Sequence, residues 1–381
     1  MKNFYPEQYT KDKSFGISHN YLSKQFEDYE DIFEKIKKVV LDNDFTLGNS
    51  VDEVEELIAN ECMTKHAIAV GSGTDAIMLS LKSLGIKEGD EVITSTYTFY
   101  ATIGAIVTAG AKPIFCDCDY DYNINVNEIE EKITNKTKAI VPIHWTGRPC
   151  EMNKLVEISE RYSIPIVEDA CHALQGEFQG KRCGSFGELG CFSFHPLKNL
   201  NVWGDGGIIV TDNTDLAENL KLLRNHGLVD RNTCVKFAYN SRLDTIQAVV
   251  AKHLIEKRLD NITNNRIANA YLYDEFLRGI PNLNIPKRIK GNKEVFHLYT
   301  FQAQERDQLA QMLQKNGVDA KVHYPIPMHM QPAAKEFNHS IGDFPIAERL
   351  CESTISLPVH EFINKDQITY VSNLIKDFYK K

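Results

Sequence analysis

Along this chain, short continuous apolar runs alternate with segments in which apolar residues recur every three or four positions. The spaced pattern predicts amphipathic helices, and the short runs predict buried strands. The first such helix is residues 51–62, with Ser50 and Glu53 spaced as a capping pair at its start. Further helices are predicted at 74–84, 101–109 and 151–162, and strands at 67–70, 91–94, 112–116, 139–143 and 164–167.

This alternation of strand and helix predicts an α/β fold, with a mostly parallel sheet between two layers of helices. Ligands of such sheets lie at the carboxyl ends of the strands. Residues 71–74, residues 96–99 and Asp169 all lie at or just beyond the ends of predicted strands. We therefore expect these segments to meet at one edge of the sheet and to form a binding site there.

The pattern changes at Asp244, where a long helical run begins that extends to about Leu277, with Asp244 and Gln247 placed like a cap pair. Mixed strand and helix segments follow at residues 297–303, 308–316 and 368–379. The sequence therefore predicts two domains. Residues 1–250 form the large one, and residues 251–381 form a smaller C-terminal α+β domain joined to it by a long helix.

Composition argues against several classes of protein. The net charge of −9 over 381 residues provides no basic stripe for phosphates, so no nucleic-acid partner is expected. No apolar run approaches the roughly 20 residues of a membrane span, and the N-terminus lacks the apolar core of a signal peptide. We expect a cytoplasmic protein without membrane contacts. Nine cysteines in mostly apolar settings indicate reduced core thiols, and the spacing in Cys116-Asp117-Cys118 is not that of a zinc site, so no metal is expected.

One lysine lies in a setting that a surface lysine does not need. Lys198 follows Ser193 by five residues, in an apolar and aromatic segment that leads to a glycine cluster at Gly204–Gly207. Desolvation favours the neutral amine, which is the nucleophile that forms a Schiff base. Asp169, at the end of a buried strand, could pair with a pyridinium nitrogen. These two residues are the minimal set for pyridoxal 5′-phosphate (PLP).

Other residues fit the same cofactor, although each also has a plainer explanation. The loop Gly71-Ser72-Gly73-Thr74 precedes a helix whose N-terminus could bind a phosphate, but such loops are common. Phe99 could stack on a pyridine ring or simply pack in the core. Taken alone, His172 is better explained as a buried neutral histidine. The joint order of these residues along the chain is what favours the cofactor.

Several segments resemble the DegT/DnrJ-type sugar aminotransferases, and the similarity runs from about Phe45 to the C-terminus. The segments are Gly71–Ala76, Glu168–Ala170, Ser193–Leu200, Gly204–Gly207, Tyr239–Ala248 and His323–Pro332. This series of motifs, in this order, is highly specific. The resemblance implies a fold-type I PLP enzyme that works as a homodimer, with each active site built at the subunit interface.

The resemblance also implies a role for individual residues. The implied cofactor contacts are a Schiff base for Lys198, pairing with the pyridine nitrogen for Asp169, ring stacking for Phe99, a position near the phenolic oxygen for His172, and phosphate binding for Gly73, Thr74, Ser193 and Asn240 of the partner subunit. The implied candidates near the sugar are His329, Tyr324 and Arg242.

The implied reaction moves nitrogen from an amino acid, with L-glutamate as the expected donor, to a keto-sugar by a ping-pong mechanism. The sugar of such enzymes is usually nucleotide-linked, yet no residue here specifies a base. Thr146-Gly147-Arg148 and Lys181-Arg182 could meet a diphosphate or could be plain surface. A keto-sugar without a nucleotide, such as a keto-octulosonate or a keto-cyclitol, therefore stays open.

Two further alternatives are disfavoured. The deoxysugar dehydratases of the same family have histidine where this chain has Lys198. A PLP-binding regulator would usually carry an added DNA-binding module, for which 381 residues leave no room.

Overall fold

The computed structural model describes residues 15–19 and 21–380. Its strands are β1 (His66–Val70), β2 (Glu91–Ser95), β3 (Lys112–Cys116), β4 (Thr137–Val141), β5 (Val167–Asp169), β6 (Glu177–Phe178), β7 (Lys181–Arg182), β8 (Leu189–Ser193), β9 (Gly207–Thr211), β10 (Leu283–Asn284), β11 (Tyr299–Ala303) and β12 (Thr354–Leu357). Its α-helices are α1 (Leu22–Gln25), α2 (Tyr29–Asp42), α3 (Asn49–Cys62), α4 (Gly73–Ser83), α5 (Tyr100–Thr108), α6 (Ile129–Lys132), α7 (Met152–Tyr162), α8 (Thr214–Arg224), α9 (Thr245–Lys257), α10 (Leu259–Leu277), α11 (Arg306–Lys315), α12 (Pro345–Ser353) and α13 (Lys365–Tyr379).

Two groups of strands join edge to edge into one large sheet. The first group has the order β1-β9-β8-β5 and the second the order β3-β2-β4. Parallel bridges from Ile140 to Ile166 and from Ile143 to Asp169 connect β4 to β5. Strand β9 is antiparallel to both of its neighbours, and the other pairings in this sheet are parallel. The prediction of a mostly parallel sheet is thus confirmed.

Both faces of this sheet are covered. Ala67 and Ala69 of β1 pack into a buried cluster that includes residues of α3 and α9. The alternate residues Ile68 and Val70 pack into a second cluster that includes residues of α4, α5 and α8. Because successive side chains of a strand point to opposite faces, the strand is buried on both sides and reads as a continuous apolar run. In a strand buried on both faces, polar side chains that can reach a ligand lie at its ends.

The C-terminal part has its own core. Strands β10, β11 and β12 form an antiparallel sheet. Buried residues of α10, α11 and α13 pack with β11 and β12 in one apolar cluster. The strand and helix predictions for this region are confirmed within a few residues. The domain boundary between residues 250 and 251 stays a prediction.

Three local predictions are wrong. The Ser50–Glu53 capping pair does not form, because α3 begins at Asn49 and is preceded by Gly48 as its N-cap. The long helical run from Asp244 is two helices, since the chain leaves helical geometry at Arg258. Asp244 does precede α9 as its N-cap, but its side chain makes no cap hydrogen bond.

Among the described residues, no helix combines the length and the apolar character needed to cross a bilayer.

Candidate active site

A cavity of about 710 Å³ lies where the carboxyl ends of β1, β2, β5 and β8 meet. Of the residues predicted from sequence, its lining includes Gly73, Thr74, Phe99, Asp169, His172, Ser193, Lys198 and Tyr324. The expected meeting of three strand ends at one edge of the sheet is therefore observed. Asn240, Arg242 and His329 lie outside this lining.

The N-terminus of α4 faces this cavity. The side chain of Ser72 caps the helix by accepting a hydrogen bond from the N–H of Asp75, at 3.0 Å. The N–H groups of Gly73 and Thr74 have no acceptor within the helix, as in the first turn of any α-helix. A Cβ at Gly73 would lie 2.6 Å from Cβ of Ser193, so glycine is required for this approach of helix and strand. The packing places the Ser193 hydroxyl beside free N–H groups, an arrangement that suits a phosphate.

Two adjacent carboxylates on β5 have different surroundings. Glu168 is fully buried, and its oxygens accept hydrogen bonds from the N–H groups of Gly184, Phe186 and Gly187 and from His144. Asp169 points to the other side of the strand and lines the cavity. Glu168 thus holds the fold together, and Asp169 is the carboxylate that a ligand can reach.

His172 is held in one tautomer. Its Nδ1 accepts a hydrogen bond from the N–H of Thr146 at 3.2 Å, so in the neutral ring the proton is on Nε2. Burial, together with the charge of Lys198, keeps the pKa of His172 well below its usual value. The ring packs against His297 with centroids 4.2 Å apart. His172 is therefore a neutral donor through Nε2 at physiological pH.

Lys198 lies on the loop after β8. Burial lowers the pKa of its ammonium group, while the neighbouring Cys171 and Asp169 act in the opposite direction. Its backbone carbonyl accepts hydrogen bonds from the Tyr21 hydroxyl at 3.0 Å and from Asn201 Nδ2 at 2.9 Å. The lysine is thus anchored at its backbone. Because its pKa is lowered, a larger fraction of the amine is neutral than on a surface lysine.

Aromatic rings line the cavity near Phe99. Phe99 is the N-cap residue of α5, and its ring centroid lies 5.6 Å from that of Tyr324. Tyr324 also packs edge-on against the fully buried Trp145. Flat rings at this position can pack on a planar ligand.

The remaining lining includes residues that sequence reasoning missed. We call this group the histidine side, and it consists of His19, Tyr21, Arg266, His297, His323 and His360. Burial lowers the pKa of His19 to about 3 and that of His360 to about 4, and it holds the pKa values of His297 and His323 well below their usual value. These histidines are therefore neutral at physiological pH. Apart from His323, which begins one of the segments named above, these residues lie in none of the motifs and are scattered from position 19 to position 360.

Tyr21 connects the histidine side to the lysine loop. Its ring stacks on His360 with centroids 5.3 Å apart and covers the guanidinium of Arg266, whose central carbon lies 4.8 Å from the ring centroid. The same residue donates the hydrogen bond to the Lys198 carbonyl described above. The N-terminal segment thus contributes directly to the position of the lysine.

Three predicted residues lie elsewhere in this chain. Asn240 is exposed and lines a separate surface pocket together with Arg242, whose guanidinium donates to Asn225 at 2.9 Å. His329 is buried between Thr96 and Glu348, with ring nitrogens 3.1 Å from an oxygen of each. None of the three reaches the cavity within a single chain.

The arginines of the two basic segments considered for a diphosphate are already paired. Arg148 is buried and forms ion pairs with Asp121 and Glu294, and it also donates to a backbone carbonyl. Arg182 pairs with Glu61 and Glu177. Neither guanidinium is therefore available to an anion in the cavity.

With this geometry established, the chain can be placed among known proteins. It matches the DegT/DnrJ/EryC1/StrS aminotransferase family over residues 27–376, and it belongs to that family. It is 37% identical over 363 residues to the pleiotropic regulatory protein of Geobacillus stearothermophilus. This match covers 94% of this chain and 97% of that protein. It is also 37% identical over 349 residues to the UDP-N-acetyl-3-dehydro-alpha-D-glucosamine 3-aminotransferase of Acidithiobacillus ferrooxidans. This match covers 91% of this chain and 93% of that protein.

A solved structure extends this likeness to the fold. The crystal structure of S. venezuelae DesV in complex with a ketimine intermediate superposes with a TM-score of 0.93 at 33% identity, covering 97% of this chain and 100% of that one. The fold is therefore fold type I of the PLP-dependent enzymes, as the resemblance implied.

The residues present fit PLP. The helix N-terminus with Ser193 provides an anion site, and glycine is also required at Gly207, where a Cβ would lie 2.4 Å from the carbonyl oxygen of Ser72. Asp169 is a buried carboxylate that faces the cavity, and Lys198 is a desolvated amine in the same space. An anion site, a carboxylate and an amine match the phosphate, the ring nitrogen and the aldehyde of the cofactor.

Proposed function

We propose that this protein is a PLP-dependent aminotransferase that moves an amino group from L-glutamate to a nucleotide-linked keto-sugar, in the biosynthesis of an amino sugar. The observation that carries the proposal is the meeting of Lys198, Asp169 and the α4 N-terminus in one cavity. The family and the name of the A. ferrooxidans relative support the aminotransferase activity and the kind of sugar.

In this proposal, the cofactor is bound by the residues at the ends of the sheet strands and on the loops that follow them, which we call the sheet side of the cavity. The N–H groups of Gly73 and Thr74 and the hydroxyl of Ser193 bind the phosphate. Phe99 packs on the ring. His172 donates from Nε2 to the phenolic oxygen, since its Nδ1 is already used as an acceptor. PLP, when bound, supplies an aldehyde that exchanges nitrogen with an amine and a ring that accepts electrons from the substrate.

Asp169 and Lys198 do the chemistry that the protein itself contributes. The Asp169 carboxylate keeps a proton on the ring nitrogen by charge pairing. Lys198 Nζ would hold the cofactor through its aldehyde, and as a neutral amine it would be the base that takes the proton from Cα of the amino acid. The same nitrogen returns a proton to the product. One base in one cavity serves both substrates, which favours a ping-pong sequence.

We propose a nucleotide-linked sugar although its diphosphate meets neither Arg148 nor Arg182. Those two side chains are used in ion pairs within the chain. The nucleotide would then be bound at the cavity mouth, where a partner subunit can contribute. A keto-octulosonate or a keto-cyclitol is the alternative outcome of the substrate test below.

We also propose a homodimer with shared active sites. The loop before Asn240 exposes Val229, Val235 and Phe237, and Phe237 is fully exposed. Apolar side chains grouped in this way mark a protein interface. Asn240 lies outside the cavity of its own chain, so its proposed phosphate contact requires Asn240 of the partner subunit.

Subunit mixing tests the shared site. Asn240→Ala and Lys198→Ala proteins should each be inactive or weak alone. Mixed and reassociated, they should recover up to about a quarter of wild-type turnover, because half of the dimers are mixed and carry one intact site of two. If activity recovers in no mixture while dimers form, Asn240 does not act across the interface.

The activity is tested with a panel of keto-sugars. Purified protein with PLP is incubated with L-glutamate and, in separate reactions, UDP- or dTDP-linked 3-keto-sugars, a keto-octulosonate and a keto-cyclitol. The products are identified by mass spectrometry. We expect 2-oxoglutarate and an amino sugar in equal amounts. Loss of water from the sugar without any donor would instead identify a dehydratase. Bound PLP without turnover on any sugar would support a regulator and overturn the proposal.

A further inference from the structure

Two threonine hydroxyls form a hydrogen-bonded relay to Asp169. Thr102, in the first turn of α5, donates from Oγ1 to Asp169 Oδ2 at 2.7 Å. The Oγ1 atoms of Thr98 and Thr102 are 2.8 Å apart. A hydroxyl has only one proton, and that of Thr102 is given to the carboxylate. Thr98 must therefore be the donor to Thr102, and the relay runs from Thr98 through Thr102 to Asp169.

The relay is buried along its whole length. Thr98, Thr102 and Asp169 are each at most 5% exposed. The other carboxylate oxygen, Oδ1, accepts from the backbone N–H of Cys171 at 3.2 Å. Both oxygens of Asp169 are thus held by donors from within the chain, which fixes the plane of the carboxylate. Hydrogen bonds to an ionised group in a low-dielectric interior are stronger than those between neutral groups.

We infer that Thr102 is a positioning residue for the aminotransferase reaction, which acts through Asp169 and with Thr98 behind it. The inference rests on the proposed function, in which Asp169 pairs with the ring nitrogen. The donors fix the carboxylate in one orientation, in which it can meet the ring nitrogen of the cofactor. The relay thereby orients the carboxylate inside the cavity.

A double-mutant cycle between Thr102 and Asp169 tests the inference. Thr102→Val removes the hydroxyl with little change in shape, and Thr102→Ser retains it. The readouts are the dissociation constant of PLP, the rate of the half-reaction with L-glutamate and the pH at which the visible Schiff-base band titrates. Thr108→Val is the matched control, because Thr108 is an exposed residue of the same helix whose hydroxyl donates to the Gly104 carbonyl.

In the wild-type background, Thr102→Val should slow the half-reaction by about 10- to 100-fold, the range for a hydrogen bond to a charged group. It should also weaken PLP binding and shift the titration of the visible band. Thr102→Ser should restore the rate to within about threefold, and Thr108→Val should change nothing. In the Asp169→Asn background, Thr102→Val should cost no more than about threefold, since the bond is then between neutral groups.

The outcomes separate the two claims. An equal loss from Thr102→Val in both backgrounds, with an unchanged titration of the band, would show that Thr102 acts through folding alone and would overturn the inference. If Asp169→Asn itself left the half-reaction and PLP affinity unchanged, Asp169 would not pair with the ring nitrogen, and that part of the proposed function would fail. Thermal unfolding of each variant shows whether the fold is retained.

Discussion

The two sides of the cavity are built differently. On the sheet side, Asp169 and Ser193 end strands of the central sheet, and Lys198 follows closely on the β8 loop. On the histidine side, neutral rings come from the N-terminal segment and from the C-terminal part of the chain. The first side has charged groups fixed by strand hydrogen bonds. The second has neutral histidine rings beside the guanidinium of Arg266, and packing and hydrogen bonds hold them in place.

This difference assigns separate tasks to the two sides. Charged or reactive groups are useful only where their positions are rigid, and strand ends provide this rigidity. The neutral histidines of this side keep the surroundings of Lys198 poorly solvated, and burial is the main cause of the lowered pKa of Lys198. Protonated histidines would add to the positive charge of Arg266, repel the protonated lysine and admit water. The sheet side should therefore govern turnover, and the histidine side should govern stability and its dependence on pH.

The largest effect is expected on the sheet side, at Lys198. Lys198→Ala removes both the covalent link to PLP and the base, so turnover should fall by at least about 10⁴-fold. The thermal unfolding temperature of the protein without cofactor should change little, because this amine does not hold the fold together. Lys138→Ala, which replaces an exposed lysine, is the control and should be fully active. Appreciable turnover in Lys198→Ala would contradict the assignment.

The two carboxylates of β5 allow the sharpest contrast between chemistry and folding. Asp169→Asn should reduce turnover by about 10²- to 10³-fold, because an uncharged residue no longer keeps the ring nitrogen protonated. Glu168→Gln should lower the free energy of unfolding by about 3 kcal/mol, because it disrupts a buried set of hydrogen bonds to three backbone N–H groups and His144.

Steady-state kinetics and urea unfolding of both variants measure these effects. The reverse pattern would be a stable but inactive Glu168→Gln protein and an unstable but active Asp169→Asn protein. It would show that Glu168 faces the cavity and that Asp169 belongs to the buried network.

The smallest expected effect concerns pH and the histidine side. In folded His360, Nε2 donates to the Ser18 carbonyl and Nδ1 accepts from the N–H of Phe362, so protonation would break a hydrogen bond. Its pKa is lowered by burial to about 4, so the unfolded chain binds more protons than the folded one between about pH 4 and 6.5. The contribution of His360 to the free energy of unfolding is therefore fully present above about pH 6.5 and is lost as the pH falls toward 4.

Between pH 7 and pH 5 this one histidine should cost about 2 kcal/mol of unfolding free energy. Urea unfolding at several pH values measures the slope. His360→Gln should make the slope shallower, whereas His66→Gln, at a partly exposed site on β1, should leave it unchanged. Equal slopes for all three proteins would show that His360 is not protected from protonation in the folded state.

The sequence predicted the sheet side well, for physical reasons. Doubly buried strands are continuous apolar runs, and the polar residue that ends such a run must face a ligand or a partner, as Asp169 does. Strands β8 and β9 were not predicted, although they flank the lysine loop. β8 contains Gly190, and a glycine inside a strand weakens the strand signal.

The histidine side could not have been predicted in this way. His19, Arg266 and His360 are brought together only by tertiary packing, and no spacing along the chain connects them. The break at Arg258 was missed for a similar reason, since no glycine or proline marks it. Which of Glu168 and Asp169 faces the cavity depends on the strand alternation, which the structure resolves.

We propose above that Lys198 is the amine that binds PLP. The most direct measurement is to add PLP, reduce the complex with borohydride, digest it and locate the pyridoxyl group by peptide mass spectrometry. We predict a single modified peptide that carries the group on Lys198, and no modification when excess L-glutamate precedes the reduction. A pyridoxyl group on another lysine, or an unmodified Lys198 in protein with bound cofactor, would contradict the account.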